Sequence, residues 1–183
     1  MKILSKIAFL LPLAAAAHEL QDNRATLVLR DPTHVSVTLY ISYVDAMHRA
    51  MAPQLSPEQF LVVYAAMKPD QFEREVAKAE AKLQGSTKLY SASGKPIAIS
   101  NWTWPDIWQF HALLKRRVMQ AMTDPSAHVH EEPAEIRADA NASEEISSLR
   151  IQFPEEFQRV LVVSYRPNQV WVDPRSWSPA IRF

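Results

Sequence analysis

The chain has 183 residues, with 20 basic and 20 acidic side chains, two glycines and no cysteine. Overall neutrality gives no electrostatic case for nucleic acid or for an anionic surface. Gly85 and Gly94 cannot supply a glycine-rich phosphate loop or a dinucleotide fingerprint, and neither a Gly-x-Ser-x-Gly elbow nor a His-Glu-x-x-His helix is present.

The first seventeen residues carry the pattern of a signal peptide. Lys2 and Lys6 give a positive start, and Ile7 to Leu13 form an apolar run broken by Pro12. Ala14 to Ala17 place small residues at the −3 and −1 positions of a cut after Ala16 or Ala17. The run is well short of the ~20 residues that span a bilayer, and no later run approaches that length. Residues 18–183 are therefore expected as a single exported domain without a transmembrane segment. The lack of cysteine suits a bacterial periplasm better than a small disulfide scaffold.

Along this domain, Ala25, Leu27 and Leu29 alternate in residues 24–30. Val35, Val37, Leu39 and Ile41 do the same after the Asp31-Pro32 turn. That pattern predicts an antiparallel hairpin with one buried face. Ser42 to Asp45 resembles a capping box and predicts a short helix through Met51, ended by Pro53. Ser56-Pro57-Glu58-Gln59 predicts a second helix to about Met67. A third follows Pro69, with Phe72, Val76, Ala79 and Leu83 on one stripe and Gly85 at its end.

Lys88–Ser91 and Pro96–Trp104 read as a hairpin turned at Ser93-Gly94-Lys95. Pro105-Asp106 opens a further helix with Ile107, Phe110, Leu114, Val118 and Ala121 at helical spacing. After a polar loop over 123–133, strands are predicted at 134–140, 147–153, 160–165 and 170–172, with a last one at 180–183. Strands at both ends and helices between predict an α+β, mainly β domain: an antiparallel β-sandwich with a helical insertion at about 56–122. The alternative is a single antiparallel sheet with helices on one face.

Among the six histidines, His18 becomes the first mature residue if cleavage follows Ala17. Its amine and imidazole then form a chelate, and an α-amino group can be deprotonated near neutral pH. A further imidazole would complete a three-nitrogen histidine brace, supplied by His48 or by His128 or His130. His48 shares a helix face with Val44, Met47 and Met51. His-x-His at 128–130, beside Glu131 and Glu132, can present two rings to one ion. Copper is the expected metal and nickel the next. His34 lies at the far end of the first hairpin from His18, roughly 20 Å away, and is read as a surface residue. His111 is expected at the margin of a buried helix face, bonded to a neighbouring carbonyl.

Trp102, Trp104 and Trp108 either join a strand to its helix or form a stacking face, with burial the default reading. The adjacent acids Glu131-Glu132, Glu144-Glu145 and Glu155-Glu156 diverge in direction and are read as solvated.

The mature start AHELQDNRATLVLRD, the short DAMHRAM helix and the ending VLVVSYRPNQVWVDPRSWSPAIRF resemble the extracytoplasmic N-terminal region of HupE/UreJ-type membrane proteins. The membrane helices of that family have no counterpart here. The resemblance implies an exported β-rich domain with a leaning toward nickel or cobalt, and it implies no transport function and no site residue.

The sequence thus predicts an exported binding or interaction domain that holds a transition metal through its N-terminal histidine. Its partner would be a protein in the periplasm or at the membrane surface. The alternatives are a non-catalytic interaction module without metal, working through a sheet edge or the tryptophan face, and a histidine-brace copper oxygenase.

Overall fold

The computed structural model describes residues 23–124 and 133–167, together with Pro174. In chain order the elements are β1 (Asn23–Asp31), β2 (His34–Ile41), α1 (Tyr43–Met51), α2 (Pro57–Ala65) and α3 (Pro69–Ser86). They continue with β3 (Lys88–Ser91), β4 (Pro96–Thr103), α4 (Ile107–Thr123), β5 (Ala134–Asn141), β6 (Leu149–Gln152), a 3-10 turn (Glu155–Phe157) and β7 (Val160–Tyr165). The domain is α+β. No helix among the described residues is long and apolar enough to cross a membrane. The strands expected at 170–172 and 180–183 lie outside the described residues.

The β1–β2 hairpin follows from its alternation. Leu27 lies opposite Val37 and Leu29 opposite Val35. Ala25, Leu27, Val35, Val37, Leu39 and Ile41 all face the core and are buried. Each fully buried Val, Leu or Ile contributes about 1.5–3 kcal/mol relative to exposure. A one-residue slip would turn that whole set to water, so the register is firmly specified.

The seven strands join in one curled sheet of order β6-β3-β4-β5-β2-β1-β7, a half-barrel. The sequence predicts two stacked sheets, whereas β4 pairs with β5 through Ile99–Ala140 and neighbouring residues and makes the sheet continuous. It is also not wholly antiparallel, because β7 runs parallel to β1. The stretch expected as a helical insertion contributes the β3–β4 hairpin to this sheet. Its helices share one core with the inner face of the strands, through Phe60, Phe72, Val76, Leu83, Phe110 and Leu114.

Helix starts follow local chemistry. Ser56 and Gln59 form the expected reciprocal box, and Asp106 accepts from the Gln109 amide at 2.8 Å. At α1 the expected box does not form. Asn23 sets the start of that helix instead, its Oδ1 accepting the Ser42 amide at 2.8 Å. On α4, Phe110 and Leu114 are buried and Ile107 and Val118 partly so. Ala121 is exposed, because the last turn runs beyond the core.

Candidate functional site

The curl of the sheet leaves its two edge strands, β6 and β7, on either side of a cleft. Among the described residues β6 pairs with β3 alone and β7 with β1 alone. In register, Val162 lies beside Ala25 and Ser164 beside Leu27, so both point to the inner face. On the other side Ile151 lies beside Leu89 and Leu149 beside Ser91, again inward. Leu27, Leu29 and Val35 form the floor. The space enclosed is about 500 Å³.

The decisive residue is Val162. Its neighbour Ala25 is fully buried, yet Val162 is 42% exposed although it faces the same interior. An inward valine left uncovered means that the core runs out of cover at this edge. β7 also carries an unpaired row of backbone donors and acceptors along its free side among the described residues. Apolar side chains and unpaired strand edges together suit one more extended chain, which would pair along the edge and fill the space.

The rims of the cleft are fixed by polar contacts. The amides of Ala142 and Ile146 donate to the Thr33 and Pro32 carbonyls, at 2.9 and 2.7 Å, and tie the β5–β6 connection to the β1–β2 turn. Glu144 reaches the β3–β4 turn, accepting from Lys95 Nζ at 2.7 Å and Ser93 Oγ at 2.9 Å. Those bonds hold its carboxyl below the usual range, the one from Lys95 most strongly. Glu156 is likewise engaged, with Lys82 Nζ at 2.7 Å. The sequence predicts Glu144 and Glu156 as solvated side chains, whereas both are paired. Their ion pairs join segments far apart in the chain, which adjacency of two glutamates cannot reveal.

Sequence reading missed the cleft. The one local signal was that Val160, Leu161, Val162 and Val163 are apolar without alternation, so both faces of β7 want cover.

Of the residues predicted to bind metal, His18, His128 and His130 lie outside the described residues. His48 is described. Its Nε2 lies 2.9 Å from the Leu55 carbonyl, an acceptor only, so Nε2 carries the proton and donates. Its ring packs on Phe60 with centroids 4.9 Å apart. Among the described residues no group of three or more His, Cys, Asp or Glu side chains is arranged to hold a metal ion. His34 faces outward as expected, with Nε2 3.1 Å from Asp139. Asp139 also accepts from Asn101 at 3.2 Å, and the two bonds, His34's first, hold its carboxyl low.

The helical layer holds a Tyr43–Glu80 pair and a buried His111, both titratable sites. Tyr43 donates to Glu80 Oε1 at 2.9 Å. Burial pushes both groups up, and the Glu80 charge pushes Tyr43 further, while the Tyr43 bond partly opposes the rise on Glu80. His111 is buried and stacks on Phe72 with centroids 4.2 Å apart. The Ala65 and Tyr64 carbonyls at the end of α2 favour its protonated form, but its buried Nε2 has no hydrogen-bond partner among the described residues. Neither group opens onto the cleft. Trp102 and Trp104 stack with centroids 5.8 Å apart and lie partly buried against the core, whereas Trp108 stands exposed.

Compared with models of protein families, with curated proteins and with solved structures, the chain matches none.

Proposed function

We propose that this is an exported, non-catalytic interaction domain that receives an extended polypeptide segment of a partner protein in the cleft between β6 and β7. The observation that carries the reading is the uncovered inward Val162 beside an unpaired strand edge. The segment would add one strand to β7 through main-chain bonds, with every second side chain entering the apolar space over Leu27, Leu29 and Val35. Such recognition selects alternation of apolar residues rather than one sequence. His48 donates a hydrogen bond from Nε2 to the Leu55 carbonyl and packs its ring on Phe60, so nothing at that residue favours a metal over this reading.

Selection from a displayed peptide library tests it. The expected result is enrichment of peptides with apolar residues at alternate positions, and their loss when Val162→Glu places a charge in the cleft. Enrichment without alternation, or equal capture by Val162→Glu, would sink the reading. Repeating the selection on a chain ending at Pro167 distinguishes a partner from residues 168–183 of the same chain. Unchanged capture supports a partner, and a large gain assigns the cleft to the chain's own end.

Export is tested separately. The intact mass of chain recovered from the periplasm should correspond to loss of residues 1–16 or 1–17, and retention of Met1 would rule out the leader.

A further inference from the structure

A second surface, on the helical layer, is independent of the cleft. α4 contains Lys115, Arg116 and Arg117 and no acidic residue; the acids nearest in sequence are Asp106 and Asp124 at its two ends. Phe110, His111 and Leu114 form its buried stripe. Trp108, Ala112, Lys115, Met119 and Met122 recur at spacings of four and three residues and so line another face. All five are exposed. Trp108 is 49% exposed, Met119 69% and Met122 80%. At ~1.5 Å per residue the stripe runs roughly 20 Å along the helix. α2, which packs against α4, adds the exposed pair Val62 and Val63 to the same layer.

Large apolar side chains gathered on one exposed helix face mark a docking surface. The charges decide what docks there. A second copy would bring Lys115, in the middle of the stripe, against the same cationic helix, and like charges would oppose the contact. An anionic lipid surface meets both features. Tryptophan and methionine can enter the boundary between headgroups and acyl chains, while lysine and arginine extend their stems to the phosphates. The overall neutrality of the chain hides this feature, because its acids lie on other elements.

We propose that the exposed face of α4 rests on an anionic phospholipid surface, with Trp108, Met119 and Met122 inserted and Lys115 and Arg116 held at the lipid phosphates. The domain would then sit at the membrane without crossing it.

Co-sedimentation of the processed chain with vesicles is the test. One set contains phosphatidylglycerol mixed with phosphatidylcholine, and the other phosphatidylcholine alone. Binding is expected to the first set only and should weaken as salt is raised. Lys115→Gln with Arg116→Gln should weaken it by about fivefold for each charge removed. Met119→Ser with Met122→Ser should weaken it as well. All four positions are exposed or peripheral to the core, so thermal unfolding of the variants should match the parent and exclude misfolding as the cause. No binding to either vesicle, which is the result for a face built to receive a partner helix, overturns the proposal. So does equal binding to both sets, or binding unchanged by either double substitution.

Discussion

Phe157→Ala should lower the free energy of unfolding by about 3–5 kcal/mol, the range for truncating a fully buried phenylalanine. Phe157 has no exposed surface. It lies on the 3-10 turn that carries the chain from β6 to β7, and its neighbourhood is pinned from three sides. Asn23 Nδ2 on β1 donates to the Phe157 carbonyl, Arg49 Nη1 on α1 donates to the Glu156 carbonyl at 3.2 Å, and Lys82 on α3 pairs with the Glu156 carboxylate. Removing the ring leaves a cavity beneath this junction, and the polar contacts cannot close it. Urea unfolding measures the loss. Because the turn sets where β7 begins, peptide capture at the cleft should fall in parallel. A loss below about 1 kcal/mol would show that the turn relaxes into the space and that the ring is not the anchor.

Phe72→Ala should cost a similar amount, about 3–5 kcal/mol, and should also change how stability depends on pH. Phe72 is fully buried on α3, stacked on His111 and 5.6 Å from the Phe110 ring. Burial holds His111 below its ordinary value. The Lys115 charge adds to that, and the carbonyls of Ala65 and Tyr64 oppose it. A histidine whose folded value is depressed stabilises the fold fully above its unfolded value of about 6.5. Below that pH the unfolded chain takes up the proton first, and stability falls until the folded value is reached. Urea midpoints should therefore drop as pH falls below about 6.5 in the parent chain. Without the Phe72 ring, water reaches the imidazole, its value returns toward the ordinary one, and the drop should be shallower. A parent profile flat through that window would contradict the buried neutral state.

Much of the fold was legible because alternation and capping are local. Val35, Val37, Leu39 and Ile41 had to share a face, and β7 was expected over Val160–Tyr165, where it lies. Phe72, Val76, Ala79 and Leu83 were placed together by spacing, and all four are buried. The sheet as a whole was less legible. Alternation shows that one face of a strand is covered but not what covers it, so strands at both ends of the chain suggested two layers. The continuous sheet depends on β4 meeting β5 and β7 meeting β1, pairings set by packing between distant segments. The cleft depends on those same pairings. Its inward residues looked like ordinary core positions, and only the arrangement of the edges leaves Val162, Leu149 and Ile151 partly uncovered.

The parallel pairing of β1 with β7 also bears on when the protein can fold. Asn23 is registered with Val160 and Val28 with Tyr165, so this ladder joins residues near the two ends of the described chain. Contacts so distant in sequence require closure of a long loop before they return any energy, and they form late. The β1–β2 hairpin can assemble as soon as it emerges, but the outer edge of β1 stays bare until almost all of the chain has followed. That delay leaves β1 open to the wrong partner strand for the whole of the interval.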